Sequence, residues 1–180
     1  SLLAEQLHST LGELMTRRRE LLKLGSGQVG DAALDFTLSA VAGGSVTLSE
    51  SYDRGYVLLD FWASWCGPCI DEIPKLRQLH SECGDKLQII SISVDKDEAD
   101  WRSAVERLNL TGWPQLIVEV AKDTEDYYFP QQADLSLAYG VEQIPCFILV
   151  DKMGIIVGRW SHLTAEAVAE ISIKISQASH

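Results

Sequence analysis

The chain has 180 residues, a length that suits one domain plus an extension and can bury a full core without disulfide staples. Hydrophobic residues are 46% and charged residues 23%, the balance of a folded globular protein. The formal net charge of -11 disfavours nucleic acid and anionic membrane surfaces as partners, because both select positive patches. No apolar run approaches the about 20 residues of a membrane-crossing helix. The four cysteines are not a secreted disulfide framework: Cys66 and Cys69 share one C-x-x-C, while Cys83 and Cys146 stand alone.

The chain begins at Ser1 rather than Met, so a processed or excised fragment is expected. Leucines at 3, 7, 11, 14 and 21 fall on one face of a helix over 2–24. That helix either packs on its own domain or docks on another domain or chain. Arg18-Arg19-Glu20-Leu21-Leu22-Lys23 looks like a twin-arginine export motif. Such a signal needs an apolar stretch next, and Leu24-Gly25-Ser26-Gly27-Gln28 follows instead, so the match reads as chance. Gly25-Ser26-Gly27 ends the helix as a linker.

Phe36-Thr37-Leu38 and Val46-Thr47-Leu48 flank Ala42-Gly43-Gly44 as a hairpin. Tyr56 to Trp62 is a near-continuous apolar run, the mark of a buried central strand. A helix is predicted from about 67 to 82, with Ile73, Leu76 and Leu79 along one stripe. Leu87 to Val94 is another buried strand. Asp97 to Leu108 is a helix with Asp97, Glu98 and Asp100 crowding its positive end. A short strand over 115–120 and an irregular acidic, aromatic loop from Asp123 to Pro130 come next. A short helix near Ala133–Tyr139 follows. Phe147 to Val150 and Ile155 to Trp160 flank a turn at Asp151-Lys152-Met153-Gly154. Thr164 caps a final helix, with Glu166 in its first turn. This order predicts an α/β sandwich, a mixed central sheet with helices on both faces.

The C-x-x-C lies between a buried strand and a helix. The helix starts at about Cys66, where free backbone N–H groups and the dipole favour a thiolate. Its pKa is therefore expected below the free value of about 8.5, and only the thiolate attacks a disulfide. Cys69 lies one turn on, placed to resolve the mixed disulfide. Pro68 has the fixed φ of a first helical turn. A zinc reading would join Cys66, Cys69, His80 and Cys83. A helix from 69 to 83 is about 21 Å long at about 1.5 Å per residue, which parts these groups, so no metal site is expected. A peroxidatic signature would need Pro and Ser or Thr where Leu59 and Ala63 stand, so a peroxidase is not expected.

Asp60-Phe61-Trp62-Ala63-Ser64-Trp65-Cys66-Gly67-Pro68-Cys69 closely resembles the active-site segment of the thioredoxin superfamily. Ile144-Pro145 resembles its cis-proline loop and Asp151-x-x-Gly154 its last hairpin. Cys69-Ile70-Asp71-Glu72-Ile73-Pro74 is similar to the pattern of the TlpA/ResA/DsbE-like branch. The likeness covers about residues 28–178. It implies an extension and linker over 1–27 and a thioredoxin-like domain over 28–180. It implies a thiol–disulfide oxidoreductase whose cofactor is none beyond the Cys66–Cys69 disulfide itself. Cys66 would be the nucleophile and Cys69 the resolving thiol. Asp60 would be the buried acid that takes the proton of Cys69, preferred over Glu72, the extra acid of the ResA-like branch. Trp65, Gly67, Pro68, Ile144 and Pro145 would face the substrate, with Trp62 more core than rim.

Two positions depart from the pattern. Cys146 follows the cis-proline and is expected to be a buried inert thiol, a third reactive sulfur being the alternative. His162 stands near where a groove glycine is usual; it is less expected to face the dithiol and titrate near neutral pH. The resemblance implies reduction of protein disulfides, an upstream membrane thiol reductase, and a periplasmic or otherwise extracytoplasmic site with membrane association through a missing segment. The alternatives are a partner-binding module with little turnover, or a disulfide oxidant or isomerase.

Overall fold

The computed structural model describes residues 2–23, 27–118 and 135–177. Residues 1, 24–26, 119–134 and the last three lie outside the described set. They include the end of the expected strand over 115–120, all of the expected acidic loop and the start of the expected helix near 133–139. The side chains of 14–23 lie outside it as well, the arginine run included.

The first helix, α1, spans Leu2–Lys23. Its Leu2, Leu3, Leu7 and Leu11 are exposed, so this stretch does not use its apolar face within its own domain. The hairpin forms as expected from β1, Thr37–Ser39, and β2, Ser45–Thr47. The central strand β3 is Tyr56–Trp62. Then follow α2 (Gly67–Asp71), α3 (Ile73–Cys83), β4 (Leu87–Ser93), α4 (Glu98–Arg107) and β5 (Gln115–Ile117). The remaining elements are α5 (Leu135–Ala138), β6 (Cys146–Val150), β7 (Ile156–Trp160) and α6 (Ala165–Gln177).

The single helix expected over 67–82 is two helices joined at Glu72. Pro74 explains the break. It has no N–H for the bond back to residue 70, and its ring crowds that carbonyl. Pro74 therefore sits in the first turn of a new helix, the place where proline is tolerated.

Five strands form one mixed sheet in the order β5-β4-β3-β6-β7. β3 runs parallel to β4 and antiparallel to β6. Its run from Val57 to Trp62 is buried on both sides, which is why the sequence shows no alternation there. Leu59, Phe61, Ile90, Ile92 and Ile148 pack one face with Phe36, Leu38 and Tyr139. Leu58, Phe147 and Leu149 pack the other against Leu76 and Leu79 of α3 and Val168 and Ile171 of α6. Each such fully buried leucine contributes about 1.5–3 kcal/mol.

Both sheet edges are covered. Ala40 bridges to Leu116 and Val41 N–H donates to the Gln115 carbonyl, laying the hairpin along β5. Ala32 bridges to Ile155, and residues 30–31 bond Ile156, along β7. Covered edges do not recruit a foreign strand. Gly55 leads into β3 at φ 151°, and a Cβ there would run into the backbone carbonyl of Lys86. Only glycine lets the chain pass there.

Candidate active site

β3 ends at Trp62, and the chain turns through Ala63, Ser64 and Trp65 into α2. Cys66 is the N-cap of α2, and its sulfur accepts from the backbone N–H of Cys69 at 3.3 Å. That contact is what the end of a helix offers an anionic sulfur. Gly67 and Pro68 are the first residues of the helix. Cys66 and Cys69 are joined as a disulfide, with Cα atoms 5.3 Å apart. The pair is nearly covered, Cys66 keeping 5% and Cys69 4% of its surface. Beside it Trp65 stands 70% exposed.

The two cysteines pack in one cluster with Trp62, Ala63, Trp101 and Ile117. The Ile144–Pro145 bond is cis. Ile144, just before it, packs against the cluster that holds the two cysteines. Trp62 is core, with its indole N–H buried and unpartnered among the described residues.

Asp60 is buried in β3, two residues before Trp62 and so on the same face of the strand. Burial pushes its carboxyl up from 3.8 to about 7; a hydrogen bond from Ser91 opposes this and the charge of Glu72 adds to it. A buried carboxyl that ionises near neutrality is a usable proton acceptor.

Glu72 is the second acid on this side. As a helix residue it would be exposed, but the α2–α3 break turns it inward, where it is 5% exposed. Its carboxylate accepts from Lys75 Nζ at 3.1 Å and from the Leu163 backbone N–H at 3.3 Å. His162 Nδ1 lies 3.3 Å from its other oxygen. His162 is thus engaged with Glu72, on an otherwise exposed ring.

Cys146 is a free, buried thiol paired across the sheet with Phe61, in the cluster on the face away from Asp60. Burial pushes its pKa up, which works against thiolate formation. Cys83 is also free and half-buried, its pKa raised by burial. Among the described residues no group of three potential ligands surrounds a metal position.

One residue here is not visible to sequence reasoning. Asp95 is 3% exposed and clamps the loop that carries the dithiol. It accepts from Ser64 N–H at 2.9 Å, Ser64 Oγ at 2.6 Å and Ser93 Oγ at 2.6 Å. In the sequence it looks like one more acid in a helix-starting run, and its partner Ser64 lies 31 positions away.

Residues 29–159 match the AhpC/TSA family. The chain belongs to that family. Among curated relatives it is 30% identical over 132 residues to the thioredoxin-like protein YneN of Bacillus subtilis, covering 72% of this chain and 69% of YneN. It is 28% identical over 131 residues to the thiol–disulfide oxidoreductase ResA of Halalkalibacterium halodurans, covering 72% of this chain and 66% of that protein. The chain thus spans about two thirds of the length of these relatives. Among solved structures, the thioredoxin domain of a thiol–disulfide oxidoreductase from Bacteroides vulgatus superposes with a TM-score of 0.69 at 26% identity. That match covers 82% of this chain and 98% of the other. Fold, motif and relatives agree on a thioredoxin-like thiol–disulfide oxidoreductase similar to ResA.

Proposed function

We propose that this oxidoreductase works as a reductant of protein disulfides, with Cys66 as nucleophile, Cys69 as resolving thiol and Asp60 as the base for Cys69. The observation that carries the reading is a disulfide closed at the start of α2, on the sheet face where a buried carboxyl is poised at about 7. In the reduced enzyme the Cys66 thiolate attacks one sulfur of a target disulfide. The target S–S bond breaks, a Cys66–target disulfide forms, and the departing target sulfur leaves as a thiolate that takes a proton from water. Asp60 then accepts the Cys69 proton, and the Cys69 thiolate attacks Cys66 Sγ. The mixed disulfide breaks, the second target sulfur leaves, and the Cys66–Cys69 disulfide is closed. Two electrons have passed from the dithiol to the target.

Trp65, Gly67, Pro68 and the Ile144–Pro145 loop serve as the rim that receives the target chain, with Ile144 offering backbone groups to an extended segment. Glu72 and His162 form a second acid–imidazole pair beside that rim. The reducing direction is supported by Gly67-Pro68 between the cysteines, the thioredoxin pairing, which sits near about -270 mV. Turnover needs an upstream dithiol protein to reduce Cys66–Cys69 by the reverse exchange. We place that donor at a membrane and the enzyme outside the cytoplasm, on the resemblance to its branch; no helix among the described residues is long and apolar enough to cross a membrane. Residues 1–27 are read as an extension to the domain over 28–180, and the exposed Leu2, Leu3, Leu7 and Leu11 of α1 support a docking role for it on another domain or chain.

The test is insulin reduction with a dithiol donor. Wild type is active, Cys66→Ser is inactive, and Cys69→Ser accumulates mixed disulfides that identify the targets. A potential above about -150 mV, in the range of oxidants, would reverse the assigned direction. A wild type that binds partners but turns nothing over would make it a binding module.

A further inference from the structure

Asp60 does not stand alone in the sheet. The parallel register sets Asp60 of β3 beside Ser91 of β4, and Ser91 beside Gln115 of β5. Paired residues share a face, so these three side chains make one polar row through an otherwise apolar layer. Ser91 is 1% exposed. Its hydroxyl donates to Asp60 Oδ2 at 2.7 Å, and the Trp113 indole N–H donates to the same hydroxyl oxygen at 2.8 Å. An indole N–H can only donate. It occupies an acceptor site on Ser91 Oγ and turns the hydroxyl proton towards Asp60. The chain therefore has one polarity, Trp113 to Ser91 to Asp60, suited to a negative charge at its end. Gln115, next in the row, has both amide atoms buried without a partner among the described residues, so Ser91 is committed to Asp60 and not to its other neighbour.

We propose that Ser91 and Trp113 are positioning residues for the resolving step: their hydrogen-bond chain sets how tightly Asp60 holds its proton, and so the pH at which Cys69 is freed to attack. This rests on the reading of Asp60 as the base. The chain opposes burial, which favours the protonated Asp60 carboxyl. Donation to an ionised group in a buried site is strong and is reinforced by a second donor behind it. The other titratable groups around the chain are Glu72 at the α2–α3 junction, Cys146 of β6 and His80 of α3. Glu72 raises Asp60, Cys146 feels the Asp60 charge, and the His80 ring is 5.6 Å from that of Trp113. Lys75 and His162 act on Glu72 from behind. The Ser91 variants leave all of these in place.

The test follows the Asp60 carboxyl by carbon NMR in the oxidised protein, where no turnover is needed. Ser91→Ala removes a hydrogen bond to a charged group and is expected to tighten proton binding by about tenfold to a hundredfold, moving the midpoint up by about one to two pH units. Ser91→Thr, which keeps the hydroxyl, is expected to restore it, and Trp113→Phe to give a smaller rise. In wild type the Trp113 indole N–H resonance is expected to titrate with the Asp60 midpoint, and in Asp60→Asn to stay flat. This wild-type signal needs no folded Ser91 variant. The resolving rate, measured as target release from the mixed disulfide, is expected to shift its pH profile by the same amount as the carboxyl. A midpoint that stays put in Ser91→Ala, or an indole signal indifferent to Asp60, overturns the chain. A midpoint that moves while the resolving step keeps its wild-type profile overturns Asp60 as the base, and the proposal with it.

Discussion

Replacing Asp60 by Asn should change how stability depends on pH, and the size follows from the site. The folded, oxidised protein holds the Asp60 proton up to about pH 7, against 3.8 for the unconstrained group. That difference is about a thousandfold in proton affinity, or about 4 kcal/mol at about 1.4 kcal/mol per tenfold. Below the unfolded value both states are protonated and the carboxyl has no effect. Between that value and pH 7 the unfolded chain binds fewer protons, so stability falls as pH rises. Above pH 7 the loss is complete. Asparagine has no such titration, and any penalty for its unpaired amide is independent of pH. Urea denaturation of the two oxidised proteins at pH 4, 6 and 9 separates the two effects. The stability of wild type relative to Asp60→Asn should drop by about 4 kcal/mol across that range, with half of the loss by about pH 5.5. A relative stability that is flat across the range would mean that Asp60 ionises as an ordinary carboxylate and is no base for Cys69.

Two further variants probe the frame around the dithiol. Asp95→Ala leaves the Ser64 N–H and the Ser64 and Ser93 hydroxyls without their acceptor. It should cost about 1–3 kcal/mol and slow insulin reduction, as read by denaturation and initial rates. Gly55→Ala puts a methyl against the Lys86 carbonyl at a φ that L residues avoid. It should cost about 1–3 kcal/mol in the same melts while the reduced protein keeps its rate of alkylation at Cys66.

The fold was legible wherever one local pattern dominates. The run from Tyr56 to Trp62 can only be a strand buried on both sides, and it is β3 residue for residue. The hairpin glycines, the Asp151 turn and the Thr164 cap also carry local signatures, and each is found in place. The apolar stripe over 67–82 continues through Pro74 and so reads as one helix, while the missing N–H of that proline ends the first segment. Glu72, at that break, is buried. The dithiol motif is contiguous and so can be read from sequence. Asp95 and Ser64, or Asp60, Ser91 and Trp113, meet only through strand register and chain reversal, and nothing at those positions signals the partner.

The most direct measurement is the rate of alkylation of Cys66 in the reduced enzyme across pH. The account predicts a reactive thiol that is half ionised at a pH below about 8.5, the value for a free cysteine, while Cys69 stays slow. A Cys66 that titrates at or above that value, or that resists alkylation at every pH, would contradict it.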